Sequence, residues 1–158
     1  MALRAAEDLL QRIEQDSWKP HLVMGLGRSG ALWAGWLAGN LGSLPIAVID
    51  RKYIVENNVR TLSFPAVAQT IKALKEIYGE NPQILIVEGS STSGQPFVEV
   101  KKQFTRLWPK ADVKFAALYA NRASPFKVDY AARLDIKPYP EAFPWHHRGI
   151  YRRHFGAS

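Results

Sequence analysis

The sequence predicts an α/β domain, a parallel sheet flanked by helices on both faces. Short apolar runs recur along the chain at 22–26, 45–49, 83–87 and 112–119. Segments of helical periodicity separate them, and glycine-bearing turns follow at least two of them. Near-continuous apolar runs suit strands buried on both faces, and alternation with helices forces right-handed crossovers between parallel strands.

Residues 3–15 place Leu3, Ala6, Leu9, Leu10 and Ile13 at helical spacing, and Trp18-Lys19-Pro20 ends that helix. His21-Leu22-Val23-Met24-Gly25-Leu26 reads as a buried strand, with Gly25, Gly27 and Gly30 at its end. A long apolar helix is expected over 31–41, closed by Gly42. Residues 45–50 form a second strand. Residues 51–63 have no clean period, and their charges and the Asn57-Asn58 pair suggest a loop or an exposed ribbon. A helix over 65–78 takes Pro65 into its first turn and ends before Gly79. The strand at 83–87 passes through a Gly/Ser/Thr stretch into a helix at about 96–108. Another strand covers 112–119. Beyond it, Pro125, Pro138, Pro140 and Pro144 favour strands and loops over long helices. No repeat, linker or low-complexity segment divides the 158 residues, so one domain is expected over 1–158.

Composition narrows the function classes. Cysteine is absent, which excludes disulfides, thiolate metal sites and a cysteine nucleophile. No apolar run approaches the roughly 18 residues of a membrane span. The opening Met1-Ala2-Leu3-Arg4-Ala5-Ala6-Glu7-Asp8 has early acids and no apolar stretch of a secretory signal, so a cytoplasmic protein is expected. The formal charge of +7 attracts polyanions. Much of it gathers at the end, in Arg148, Arg152 and Arg153 beside His146, His147 and His154. Nucleic acid is compatible with this charge, but the two loops favour a small phosphorylated ligand. His146 and His147 do not read as a metal pair, because adjacent strand residues face opposite sides.

The second loop is the more informative. A strand ending in Val87-Glu88, then Gly89-Ser90-Ser91-Thr92-Ser93-Gly94-Gln95 and a helix, makes an anion cradle. The first N–H groups of a helix are unpaired, and its dipole favours negative charge. Four hydroxyls add donors, Gly94 admits close approach, and Glu88 can accept from sugar hydroxyls. The plainer alternative is a polar turn whose hydroxyls cap the helix. The first loop, Gly25-Leu26-Gly27-Arg28-Ser29-Gly30, matches Gly-x-Gly-x-x-Gly, with Asp50 as a candidate acid some 20 residues on, so a dinucleotide site competes. Arg28 inside the loop better suits capture of phosphate or pyrophosphate by a guanidinium.

Together these loops resemble those of the type I phosphoribosyltransferases. Met24 to Ala31 looks like the pyrophosphate loop, and Ile84 to Gly94 like the ribose-phosphate loop. Trp108-Pro109-Lys110-Ala111, Leu118-Tyr119-Ala120, Val128-Asp129-Tyr130 and Phe143-Pro144-Trp145 follow the order of the xanthine-guanine branch. The resemblance spans about residues 8–146. It implies a five-stranded parallel core with a small hood from the terminal segments, and a mobile catalytic loop at about 51–62. It implies a homodimer, and transfer of phosphoribosyl from phosphoribosyl pyrophosphate (PRPP) to a nucleobase, a purine in this branch, with Mg²⁺ as cofactor and pyrophosphate as product.

Residue by residue, the resemblance places Gly27, Arg28, Ser29 and Gly30 on pyrophosphate, with a cis Gly27–Arg28 peptide, and Glu88 to Gln95 on ribose and phosphate. It makes Arg28, Lys52 and Thr92 the catalytic set and Glu88 the metal ligand. Arg51 and Arg60 are further loop cations. Asn121, Tyr139 and Phe143 would meet the base. The chain departs from the pattern at Gly89, where a second acid is usual. It departs again at Pro96, which lacks the N–H that donates to phosphate, and at Asn121, or one place off at Arg122, where the branch carries Lys. Those departures raise a second reading, a phosphosugar- or nucleotide-binding regulatory or accessory protein with weakened catalysis.

Overall fold

The computed structural model describes residues 2–135. The expectations for Tyr139, Phe143, Trp145, the hood's C-terminal part and the basic end lie outside those residues. The elements run α1 (Ala2–Gln15), β1 (Leu22–Leu26), α2 (Gly27–Asn40), β2 (Ile46–Ile49), β3 (Lys52–Glu56), β4 (Val59–Ser63), α3 (Val67–Tyr78), β5 (Gln83–Ser91), α4 (Gln95–Leu107), β6 (Asp112–Asn121) and β7 (Tyr130–Asp135). Five strands form one parallel sheet in the order β2-β1-β5-β6-β7.

Alternating strand residues serve two cores, as the period of two requires. Val23, Leu85, Val87 and Leu118 meet Leu9 and Ile13 of α1 and Leu37 of α2 on one face. Leu22, Met24, Ile84 and Ile86 meet Ile71 of α3 and Phe97 and Phe104 of α4 on the other. Trp108 is wholly buried there, its indole N–H donating to the Gly79 carbonyl at 2.9 Å. At the edge where the strands begin, Asp16 accepts from Lys114 Nζ at 2.7 Å and from the Tyr130 hydroxyl at 2.5 Å, while the Trp18 indole donates to Asp112 at 2.8 Å. This cluster pins the end of α1 to β6 and β7. Among the described residues no helix is long and apolar enough to cross a membrane.

Residues 52–63 form an exposed antiparallel ribbon, β3 with β4. Asn57 and Asn58 have φ of 50° and 61°. A two-residue type I′ turn requires positive φ at both positions, and Asn tolerates it better than most residues.

Three boundaries differ from expectation. Helix α2 begins at Gly27 rather than 31, so most of the first glycine loop is helix. Strand β5 continues to Ser91, because Glu88, Ser90 and Ser91 pair with Ala117, Tyr119 and Ala120 of β6. Pro65 lies before α3 rather than in its first turn. Ala66, at φ 60°, forms the N-cap. The expected cis Gly27–Arg28 peptide is also not found, since every described peptide bond is trans. The bend at this point is made by Gly27 at φ 61°, a conformation open to glycine at little cost.

Candidate functional site

The chain leaves β1 toward β2 on one side and returns to place β5 on the other. The switch point of this sheet therefore lies between β1 and β5, and ligands of such sheets bind outside the carboxyl ends of the strands at that point. Both glycine loops sit there. The ladder between β1 and β5 ends at Gly25 and Val87, whereas β5 stays paired with β6 up to Ser91. Residues 88–91 thus run past the end of the β1 ladder, and the crevice expected at the switch point lies between them and the start of α2.

The first loop is shaped by close packing. A Cβ on Gly25 would fall 2.5 Å from the backbone of Ala31, and one on Gly30 would strike the Val87 carbonyl oxygen. These glycines let α2 start directly against β1 and β5. That need explains the Gly-x-Gly-x-x-Gly match without a dinucleotide. The N-cap, Leu26, supplies no side-chain acceptor, so no side chain caps the first turn of α2. Arg28 is exposed at that turn, and Ser29 Oγ is buried without a hydrogen-bond partner.

Arg51 joins the two loops. Its stem lies over Gly27, where a Cβ would come within 3.1 Å of Nε, and its Nη1 forms an ion pair with Glu88 Oε1. Glu88 is 2% exposed and Arg51 26%. Burial lowers the guanidinium's hold on its proton, and the fields of Arg28 and Arg60 act the same way while Tyr53 opposes them. Arginine has so much reserve that it stays charged. The other carboxylate oxygen, Glu88 Oε2, is buried with no partner. Neighbouring Lys52 is exposed on β3, and Arg60 stacks over the Tyr53 ring at 3.7 Å. The structure places Arg51 between the two loops, while Lys52, which the resemblance puts in the catalytic set, lies exposed next to it. Side chains alternate along a strand, so the choice between neighbours depends on where β3 begins.

The second loop is shorter than expected, since Ser90 and Ser91 belong to β5. Ser93 Oγ accepts from the Gln95 N–H at 3.2 Å, so helix capping is part of this segment's role. Gly94 has φ 72°, and a Cβ there would strike Phe126 and come within 2.9 Å of Ser124 Oγ. The close approach at Gly94 is thus made by the chain's own 124–126 segment. Gly89 and Pro96 are buried, Pro96 in the first turn of α4, and Ser90 and Thr92 are half-buried. Ser91 Oγ and Ser124 Oγ are buried without partners. Asn121 ends β6 on the same edge of the sheet. Its Oδ1 accepts from the Ala123 N–H at 2.9 Å, which leaves the amide N–H₂ as its donor.

Mg²⁺ takes about six oxygens in octahedral array and commonly draws most of them from water and substrate phosphates, with one or two protein carboxylates. Glu88 is the one acid in either loop, and one of its oxygens is taken by Arg51. Among the described residues no three His, Asp or Glu side chains gather as metal ligands.

No known family profile matches the sequence, and no curated protein matches it either. Solved structures do. A purine phosphoribosyltransferase from Pyrococcus horikoshii superposes with a TM-score of 0.71 at 23% identity, over 92% of this chain and 89% of that one. The xanthine-guanine-hypoxanthine phosphoribosyltransferase of Helicobacter pylori gives 0.66 at 18% identity, over 87% and 83%. A hypothetical protein from Neisseria gonorrhoeae with bound ppGpp gives 0.75 at 18% identity, over 94% and 86%. Likeness at such identities concerns architecture, and on architecture the chain has the type I phosphoribosyltransferase fold.

Proposed function

We propose that the chain binds a phosphorylated ribose compound, a nucleotide or PRPP, in the crevice between the ends of β1 and β5. One observation carries this reading. Ser29 Oγ, Glu88 Oε2, Ser91 Oγ and Ser124 Oγ are buried without hydrogen-bond partners among the described residues, and all four belong to the two loops or to the segment leaning on Gly94. An unsatisfied buried polar group costs on the order of 1–3 kcal/mol, so four of them in these segments call for a functional reason. The start of α2, the exposed Arg28 and the start of α4 add positive potential at the same edge. The similar structures are consistent with it, two being purine phosphoribosyltransferases and one holding a guanosine polyphosphate.

A second reading is phosphoribosyl transfer from PRPP to a purine with release of pyrophosphate, supported by the names of those two enzymes. Arg28 would hold pyrophosphate, Lys52 and Thr92 would act at the reacting centre, and Asn121 would donate to the base. Gly89, Pro96 and the Arg51–Glu88 pair favour binding over turnover, because ribose and phosphate contacts that the resemblance implies are absent or already engaged. Calorimetry with PRPP, GMP and ppGpp, followed by pyrophosphate release with a panel of purine bases, separates the two. Micromolar binding without turnover is expected. Turnover would establish the transferase, and failure of all three ligands to bind would end both readings.

A further inference from the structure

The resemblance to phosphoribosyltransferases would make Glu88 the metal ligand, and here a cation is already supplied to it by the chain. Arg51 engages Glu88 Oε1, and its stem occupies the space that Gly27 leaves by having no side chain. The side chain thus bridges the two loops, with its stem over Gly27 and its guanidinium on Glu88. It is not a surface charge resting on an acid. The charges can be counted from the sequence. Residues 25–30 hold one cation, Arg28, and residues 88–95 hold one anion, Glu88. Arg51 cancels that anion and leaves the two loops with the charge of Arg28, to which the starts of α2 and α4 add partial charge of the same sign, while exposed Asp50 beside Arg51 is a further acid at this edge. The two loops themselves therefore favour an anion over a metal ion.

Resting on the proposed binding of a phosphorylated ligand, we infer that this site takes its ligand without a divalent metal, Arg51 standing where the metal's charge would be. One guanidinium nitrogen is turned to Glu88, and the remaining N–H groups can donate to phosphate oxygens. Glu88 then acts as a positioning residue, holding Arg51 in place. A Mg²⁺ ion entering the site would have to displace Arg51 and find its other ligands from solvent or substrate, since Gly89 offers none.

The test is titration calorimetry with GMP, in EDTA and again with millimolar Mg²⁺. The expected dissociation constants agree within about twofold for the native chain. Arg51→Gln is expected to weaken binding about tenfold or more in EDTA, with part of the loss recovered by Mg²⁺, because Glu88 is then without its counterion. Thermal melting checks that this variant folds. If it does not, Arg51→Gln/Glu88→Gln removes both charges together, and GMP binding should weaken about tenfold in either buffer. Native binding that improves tenfold or more with Mg²⁺ overturns the inference while leaving the phosphorylated ligand standing. So does a folded Arg51 variant that binds GMP like the native chain. Absence of GMP binding in both buffers removes the underlying reading and the inference with it.

Discussion

Arg51, just beyond β2, and Glu88, near the end of β5, are 37 positions apart in the chain and form an ion pair between the two loops of the crevice. Glu88 is almost fully enclosed, so its charge depends on that partner. Removing one member of a buried pair leaves an unpaired charge out of water, at roughly 3–5 kcal/mol, and partial exposure of Arg51 reduces the figure. Arg51→Met should therefore cost about 1–3 kcal/mol in urea denaturation. Arg51→Met/Glu88→Gln should cost less than the sum of the two single changes. Additive losses would mean that the pair does not hold the loops together.

The glycines of the loops should divide by what their missing Cβ would meet. At Gly30 it is the Val87 backbone carbonyl, which cannot move without distorting β5. Gly30→Ala should cost about 2–4 kcal/mol, at or above the usual range for overpacking. At Gly94 the principal obstacle is the Phe126 side chain, together with φ 72°. Gly94→Ala should be destabilising, and Phe126→Gly in the same chain, which removes the Phe126 Cβ that the new methyl would strike, should recover most of the steric part but not the roughly 1 kcal/mol of left-handed strain. Equal penalties at Gly94, with and without Phe126, would show that backbone conformation alone selects that glycine.

Helix α2 carries two glycines with the opposite logic. A Cβ on Gly35 or Gly39 meets nothing within 4 Å. Alanine at an open helical position reduces the freedom of the unfolded chain, and each change should stabilise by about 0.5–1 kcal/mol. Thermal melting of Gly35→Ala and Gly39→Ala checks this. A loss of stability at either position would mean that this helix face is covered in solution.

How far the sequence discloses this molecule depends on where each residue's partners lie. Val23, Ile84 and Leu118 sit in strands buried on both faces, and an apolar run alone identifies those. The Asn57-Asn58 ribbon was legible because its turn chemistry is local. Helix α2 starts earlier than its composition suggests because Gly27 and Gly30 are selected by contacts with Arg51 and Val87, which local propensity does not register. Ser90 and Ser91 look like loop and are strand, since the ladder to Tyr119 and Ala120 fixes them. Glu88 was recognisable as the acid at a strand end. Its pairing with Arg51 was not, because nothing near 51 in the sequence shows which of Arg51 and Lys52 turns toward the crevice.

The cluster at the other edge of the sheet sets a pH dependence. Hydrogen bonds from Lys114, the Trp18 N–H and the Tyr130 hydroxyl hold the Asp16 carboxyl well below its usual value of 3.8. The unfolded chain therefore binds a proton at Asp16 at higher pH than the folded chain does. The stability contributed by Asp16 is present above the unfolded value and lost as pH falls from about 4 toward the folded value. On the alkaline side, burial and the hydrogen bond to Asp16 push Tyr130 from 10.0 up to about 12. The fold favours the neutral phenol, so stability falls as pH rises from 10 toward 12. Melting temperatures recorded against pH should show Asp16→Asn less stable than the native chain at neutral pH, with the gap narrowing below about pH 4. Tyr130→Phe should lose the alkaline decline that Tyr130 contributes. A constant gap for Asp16→Asn down to the acid limit would show that Lys114 and Tyr130 hold α1 against the sheet without the carboxylate.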